Sequence, residues 1–139
     1  MAYNAAFFGL FENTFKLLKK EFGEEKALDL FTKLMATGLG KSYGDNFIKG
    51  QSKEFARVVS ERDKIVGLHV EFPMVEENTI IYQFHDDTFP NLKGEVDAEK
   101  LDKTYINFKI NYLLGEGWQY HTTKHLWWGD EYTEHVITR

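Results

Sequence analysis

The chain contains no cysteine among its 139 residues. This absence excludes disulfide bonds, thiol nucleophiles, thiolate zinc sites and iron–sulfur clusters. We therefore expect the fold to depend on packing alone, and any catalysis to depend on other side chains.

Positive charge is scarce, and long apolar runs are missing. The 17 Lys and Arg residues are outnumbered by 22 Asp and Glu residues, which gives a formal net charge of −5. Because nucleic-acid binding usually requires a basic face, we expect no nucleic-acid partner. Charged residues interrupt each apolar stretch before it could span a bilayer, and no basic segment precedes the short apolar run at 5–11. We therefore expect no membrane association and a cytoplasmic location.

Aromatic residues, in contrast, are abundant. The 12 Phe, 7 Tyr and 3 Trp residues make up 16% of the chain. Large rings stabilise a core because each buries much apolar area, and they also form the walls of ligand pockets and interfaces. Core packing is the first interpretation, and a pocket or interface is the second. The length is that of one domain, so we expect residues 1–139 to form a single domain.

Helical periodicity dominates the first half of the chain and returns once in the second half. Gly23 separates two apolar stripes, and Glu24 and Glu25 suit the first turn of the second helix. Ser52 is the predicted N-cap of a third helix, and Asp97 that of a fourth. The stripes on the first, second and fourth helices are Phe7, Phe11, Phe15, Leu18 and Phe22; Ala27, Phe31, Leu34, Met35 and Gly38; and Leu101, Tyr105, Phe108 and Tyr112.

A period of two over 66–74 and 80–84 predicts a first β-hairpin. A three-residue turn at 76–78 pairs Val70 with Phe84 and places both apolar sets on one face. A two-residue turn would mix apolar and polar side chains, so we expect the longer turn.

In that register His69 lies opposite His85, and Glu71 lies on the same polar face. Two imidazoles and a carboxylate are ligands that zinc or a similar divalent ion accepts. A solvated polar face of a sheet packed on one side is the alternative interpretation. A divalent metal at His69, His85 and Glu71 is thus the one cofactor that the sequence suggests.

The last 22 residues predict a second hairpin, with strands at 118–128 and 132–138 and a turn at 129–131. The order of elements is then three helices, a hairpin, a helix and a hairpin. We predict an α+β fold: a four-stranded, mainly antiparallel sheet made of two hairpins, with about four helices packed on one face.

Three histidines fall in the second hairpin. A three-residue turn pairs His125 with His135 and places His121 on the same face, beside Thr133. A two-residue turn moves His135 to the other face and separates the group. Histidine suits proton transfer near neutral pH. A wet sheet face, or an interface rich in Trp and Tyr, is the alternative interpretation.

Two other catalytic motifs are excluded. The sequence Gly40-Lys41-Ser42 resembles the end of a phosphate-binding loop, but Met35 stands where that loop needs its first glycine. The segment also ends a helix instead of opening one. None of the serines lies in the Gly-x-Ser-x-Gly turn of a nucleophilic hydrolase.

The C-terminal segment resembles the L-2-amino-thiazoline-4-carboxylic acid hydrolase-like family. The resemblance rests on Leu114-Gly-Glu-Gly-Trp118 and on the run from His125 to His135, in which Gly129, Asp130 and Glu134 match the family pattern. Gly-Glu-Glu at 23–25 and the order of elements are also similar. Thr133 occupies the position of a family cysteine, and this chain lacks the cysteines that the family carries near both hairpins. The layout is similar, too, to the 4-vinyl reductase and TRAPP-like group, whose small domains often bind small or fatty ligands as dimers.

The resemblance implies a hydrolase that acts on a C–N bond of a small cyclic or polar molecule. Without a thiol, water would have to be activated by histidine or carboxylate, with or without a metal. The candidate catalytic residues are His121, His125 and His135, with Asp130 and Glu134 orienting them.

A non-catalytic module that binds a small ligand or forms a homodimer is the alternative hypothesis. Aromatic side chains of the second hairpin would then form a pocket or a subunit contact. The candidate ligand-binding residues are Trp118, Trp127, Trp128, Tyr132 and Thr133.

Overall fold

A computed structural model describes residues 2–139, which form four α-helices and one four-stranded sheet. The helices are α1 (Ala5–Phe22), α2 (Glu24–Tyr43), α3 (Ser52–Ile65) and α4 (Ala98–Leu113). The strands are β1 (Val70–Val75), β2 (Thr79–Phe84), β3 (Gln119–Lys124) and β4 (Thr133–Thr138). Antiparallel pairs join the strands in the order β1-β2-β4-β3, so the two hairpins meet through β2 and β4. The predicted α+β fold with a sheet of two hairpins is confirmed.

One face of the sheet is buried under the helices. Alternate residues of the two central strands point into this face, as the period of two requires. They are Ile80, Tyr82 and Phe84 of β2 and Thr133, His135 and Ile137 of β4. Phe55 of α3 meets the Tyr82 ring edge-on, with 6.1 Å between the ring centroids. Phe84, at the end of β2, lines both of the spaces described below.

The first hairpin follows the predicted register at one end only. Its pairs are Val70–Phe84, Glu71–Gln83, Met74–Ile81 and Val75–Ile80. The first two pairs are those predicted, whereas the last two are shifted by one because Glu76 and Thr79 close a two-residue turn. The predicted three-residue turn is therefore wrong. A bulge between Glu71 and Met74 absorbs the shift, and it contains Pro73, which has no N–H to give to the ladder.

The second hairpin has a longer connection than predicted. Strand β3 ends at Lys124, and a 3-10 turn at Leu126–Trp128 leads into Gly129, whose φ of 94° lies in the left-handed region. Thr122, not His125, pairs with His135. The predicted pairing of His125 with His135 is wrong because the chain leaves the ladder before residue 125.

The buried face of α1 differs from the predicted stripe. Phe8 and Phe15 are buried, whereas Phe7 and Phe22 are 41% and 60% exposed. Apolar residues occur on several faces of this helix, so periodicity alone does not decide which of them packs inward. The packing of α1 against α2 and the 3-10 turn at Pro90–Leu92 decides it.

The helix ends agree with prediction at some positions and differ at others. Asp97 caps α4 by accepting a hydrogen bond from the Lys100 backbone N–H at 3.1 Å, as predicted. The N-cap of α3 is Gln51, one residue before the predicted Ser52. Helix α2 runs on to Tyr43, so the segment 40–42 lies in its last turn and forms no phosphate loop.

Helix α4 is buried along most of its length. Its buried residues include two charged side chains, Asp102 and Lys109, besides the apolar stripe. Leu101 and Tyr105 of the predicted stripe are buried, whereas Phe108 is only partly buried. No helix within residues 2–139 is long and apolar enough to cross a membrane.

Candidate functional site

A cavity of about 360 Å³ lies between the helices and the end of β2. Helices α1, α2, α3 and α4 all contribute to its walls. Aromatic rings form much of the lining: Phe7, Phe8, Phe11, Phe84, Phe89 and Tyr105. A volume of several hundred Å³ with mainly apolar walls is typical of small-molecule sites. Some of the abundant aromatic residues therefore line a cavity and do not serve only to pack the core.

The cavity opens between α1 and α2. Phe7 of α1 and Leu34 of α2 line the cavity and are 41% and 40% exposed. Gly38 and Ser42 follow Leu34 along the same face of α2 at intervals of one helical turn. A Cβ added to Gly38 would have no atom within 4 Å, so this glycine leaves open space at the mouth.

The segment before α1 supports one wall of the cavity. The backbone N–H of Asn4 donates to the carbonyl of Val66 at 3.2 Å, and the Tyr3 hydroxyl donates to the carbonyl of Thr88 at 2.8 Å. Val66 and Thr88 both line the cavity. Gly67 has a φ of 82°, and a Cβ there would lie 1.8 Å from the carbonyl oxygen of Ala2. The segment can approach this closely only because residue 67 has no side chain.

One end of the cavity is polar. The Lys109 Nζ lies 3.4 Å from Asp63 Oδ1 and donates to the Tyr82 hydroxyl at 3.0 Å. The Tyr82 hydroxyl donates in turn to the other carboxylate oxygen of Asp63. Burial, together with the charge of Asp63, raises the pKa of Tyr82 well above its usual range, so the hydroxyl keeps its proton. Lys109 and Asp63 thus form a buried, hydrogen-bonded ion pair beside the apolar space.

Arg62 is the third charged residue of the cavity wall. Its Nε donates to the carbonyl of Ser42 at 2.8 Å, which holds the guanidinium against the last turn of α2. No carboxylate of residues 2–139 lies within ion-pair distance of Arg62. Two cations and one carboxylate give the wall a net charge of +1, although the whole chain carries −5.

A second buried polar network surrounds Asp102. His125 Nε2 lies 2.9 Å from Asp102 Oδ2, and the Tyr105 hydroxyl donates to Asp102 Oδ1 at 2.8 Å. The backbone N–H of Trp127 donates to His125 Nδ1 at 3.0 Å. Because Nδ1 accepts this bond, the imidazole proton lies on Nε2 and points to Asp102. Neither nitrogen of His125 is therefore free to accept a proton from a substrate.

His135 lies beside the same network and is completely buried. Its Nδ1 is 2.9 Å from the Thr122 hydroxyl, and its Nε2 is 3.7 Å from Asp102 without a hydrogen-bond partner in the described chain. Burial lowers the pKa of His135 to about 4, so the ring is neutral near pH 7. The space beside Asp102 and His125 is about 10 Å³, enough for about one water molecule and not for a substrate.

The other predicted catalytic residues lie outside this network. His121 is exposed and pairs with Val136, which places it away from the buried face. Glu134 accepts hydrogen bonds from Thr123 and Gln83 at 2.6 and 2.9 Å. Asp130 accepts from the backbone N–H of His125 at 2.9 Å and so supports the turn.

Of the predicted ligand-binding residues of the second hairpin, Trp127 and Thr133 lie together beside the 10 Å³ space next to Asp102 and His125. None of Trp118, Trp127, Trp128, Tyr132 and Thr133 lines the 360 Å³ cavity. The indole N–H of Trp127 donates to Asp87 at 2.8 Å, and Trp128 is 49% exposed. Thr133 accepts from the backbone N–H of Leu126 at 3.1 Å. The contacts of Trp127 and Thr133 stabilise the long connection of the hairpin.

His69, His85 and Glu71 are neighbours, as the predicted register requires. The two imidazole rings stack with 4.9 Å between their centroids, and His85 Nε2 lies 2.6 Å from Glu71 Oε2. Within the described part of the chain, however, no group of three or more His, Asp and Glu side chains is arranged to hold a metal ion. The geometry therefore gives the predicted metal site no support.

Comparison with known proteins finds a similar structure but no similar sequence. No family model matches the sequence, and no curated protein matches it. The structure is similar to the crystal structure of the phenol-responsive sensory domain of the transcription activator PoxR with phenol. The TM-score is 0.65 at 14% identity, over 98% of this chain and 74% of that chain. The likeness shows a shared α+β fold alone, and it does not support the thiazoline-carboxylate hydrolase family.

Sequence reasoning missed the charged residues of the two sites: Arg62 of the cavity wall and the buried Asp63, Asp102 and Lys109. One signal was available for Lys109, which follows Tyr105 of the predicted buried stripe by one helical turn. Asp63 follows the apolar Val59 by the same interval. Charged residues in register with an apolar stripe are rarely buried without a partner, so the two positions could have been paired.

Proposed function

We propose that this chain is a domain that binds a small, largely apolar molecule in the cavity between α1 and α2. The observation that carries the proposal is the cavity itself, about 360 Å³ in volume, with aromatic walls and a small set of polar groups at one end. Aromatic walls supply apolar contact area, and a few fixed polar groups orient the ligand. The function is binding, and no reaction is assigned to the site.

The shared fold is consistent with this proposal. The similar sensory domain has phenol, a small aromatic molecule, in its crystal structure. The hydrolase hypothesis lacks the groups that it needs. His125 has both nitrogens engaged, and the space beside Asp102 holds about one water molecule.

A blocking substitution tests the proposal. In Gly38→Leu the new side chain would enter the mouth of the cavity, where no atom lies within 4 Å of the added Cβ. We expect 4-ethylphenol to bind to the wild type in isothermal titration calorimetry and to lose this binding in Gly38→Leu. Replacing a helical glycine with leucine favours helix formation, so the stability of Gly38→Leu should not fall.

Gly9→Leu is the matched control. Gly9 is also a helical glycine with open space around its Cβ position, but it does not line the cavity. We expect this variant to bind as the wild type does. Equal binding by Gly38→Leu and Gly9→Leu, or no binding by the wild type to apolar molecules of this size, would contradict the proposal.

Homodimerisation remains a prediction from the sequence. Native mass spectrometry of the protein purified without added ligand would report the number of chains. The same spectrum would report an organic molecule retained in the cavity.

A further inference from the structure

The charges of the cavity wall point to the chemical class of the ligand. Three side chains of the wall carry charge: Arg62, Asp63 and Lys109. Tyr105 also lines the cavity, but burial and the neighbouring Asp102 raise its pKa well above the usual range, so it stays neutral. The wall is thus positive by one charge in a protein that is negative overall.

Each oxygen of the wall's single carboxylate already has a partner. One oxygen of Asp63 faces the Lys109 ammonium at 3.4 Å, and the other accepts the hydroxyl proton of Tyr82. A cationic ligand would therefore have to displace Lys109 from a buried ion pair, which is costly. Asp63 serves to hold Lys109 in place and does not select a positive ligand.

The two cations, in contrast, have N–H groups without a hydrogen-bond partner in the described chain. The Lys109 ammonium has three protons and gives two of them to Asp63 and the Tyr82 hydroxyl. Its other neighbours are three aromatic rings, and Nζ lies 5.3 to 5.7 Å from the ring centroids of Tyr82, Phe84 and Tyr105. The faces of these rings attract the charge but leave the third proton without a conventional hydrogen-bond acceptor. Arg62 uses only its Nε within the described chain, which leaves the four N–H groups of its two terminal nitrogens for an acceptor.

We propose that the ligand is an amphiphilic monoanion: an apolar alkyl or aryl body with one acidic group, which Arg62 and Lys109 bind. The inference rests on the proposed function, since it concerns the same cavity. The aromatic rings of α1 and the β2 end bind the apolar body. The acidic group accepts hydrogen bonds from the guanidinium and the ammonium, and it neutralises the excess positive charge of the wall.

Matched pairs of acid and alcohol test the class of ligand. Octanoate and 1-octanol share an alkyl body, and 4-ethylbenzoate and 4-ethylbenzyl alcohol share an aryl body. We expect at least one acid to bind to the wild type about tenfold more tightly than its alcohol, as measured by calorimetry. The pair with the higher affinity distinguishes an alkyl body from an aryl body. Equal affinity of acid and alcohol in both pairs would overturn the inference.

Arg62→Gln should remove most of this preference. We expect the affinity for the acid to fall about tenfold and the affinity for the alcohol to stay within about twofold of the wild type. Lys64→Gln, an exposed residue of the same helix with the same change in charge, is the control and should keep the preference. A full preference for the acid in Arg62→Gln would also overturn the inference.

The two proposals can fail separately. If acids and alcohols bind equally and Gly38→Leu blocks both, the cavity binds ligand but does not select an anion. If Gly38→Leu leaves binding intact, the ligand binds elsewhere and the proposed function itself is wrong.

Discussion

The Nζ of Lys109 lies 3.4 Å from Oδ1 of Asp63, and these two side chains are only 4% and 8% exposed. The contact joins the middle of α4 to the end of α3, two helices that are far apart in the sequence. It places the ion pair in the wall of the cavity, next to aromatic lining residues. An ion pair at this depth is costly to desolvate, and the Tyr82 hydroxyl offsets part of that cost by bonding to both partners.

Breaking this pair from one side should destabilise the fold. Lys109→Met leaves the Asp63 carboxylate buried without a cation, and we expect the free energy of unfolding to fall by about 3–5 kcal/mol. The double variant Lys109→Met with Asp63→Asn should recover most of this loss in urea denaturation. Lys103→Met, at an exposed position of the same helix, is the control. If Lys109→Met were as stable as the wild type, water would have to reach the ion pair, and the buried state of the pair would be wrong.

His135 should make stability depend on pH. Burial lowers the pKa of His135 to about 4 in the folded protein, and Asp102 opposes this shift in part. The unfolded chain binds a proton near pH 6.5, so acid favours unfolding. The contribution of His135 is complete above about pH 6.5 and is lost as the pH falls toward about 4, by at most about 3 kcal/mol.

The variant His135→Phe isolates this contribution. Its thermal midpoint should fall less steeply than that of the wild type between about pH 7 and about pH 4.5, because the buried site no longer titrates. His121→Phe, at an exposed position, should keep the slope of the wild type. The same slope in His135→Phe and the wild type would contradict the buried, neutral state of His135.

His125 should prove structural. His125→Ala removes the partner of Asp102 and leaves the backbone N–H of Trp127 without an acceptor. We expect the free energy of unfolding to fall by about 3 kcal/mol, as measured by urea denaturation. His121→Ala should change it by less than about 0.5 kcal/mol, since surface substitutions have small effects. A His125→Ala protein of unchanged stability would reopen a catalytic role for this histidine.

Gly67 should be irreplaceable for a steric reason. Gly67→Ala places a Cβ 1.8 Å from the carbonyl oxygen of Ala2 and must displace the segment before α1. Gly94→Ala is the control, because Gly94 has a similar φ of 87° but no atom within 4 Å of the added Cβ. We expect Gly94→Ala to cost about 1 kcal/mol of backbone strain and Gly67→Ala clearly more. Equal losses would mean that the segment before α1 does not pack there.

Local patterns in the sequence predicted the elements well. The four helices, the two hairpins and the cap at Asp97 follow from periodicity and from single residues that begin or end an element. The predicted proximity of His69 and His85 is also confirmed. The two strands that carry them belong to one hairpin and are close in the chain, so the sequence could indicate which residues face each other. Short-range information is sufficient for such features.

The candidate site could not be predicted in the same way. Phe7 lies on a stripe that periodicity assigns to the core, but it lines an open cavity because α1 turns Phe8 and Phe15 inward instead. The histidines of the second hairpin were assigned to one face, but His121 is exposed and His125 lies outside the ladder. The register of a hairpin depends on the length of its connection, which the sequence does not give. A wrong length therefore changes which residues of the two strands face each other.

By itself the sequence determined the α+β class, the order of its elements, the absence of cysteine chemistry and the negative charge of the chain. The tertiary structure alone decided that Arg62, Asp63 and Lys109 meet at one cavity and that Asp102 joins His125. The physical reason is distance along the chain. Periodicity reports which face of one element is apolar, whereas a cavity and a buried ion pair depend on how several elements pack against one another.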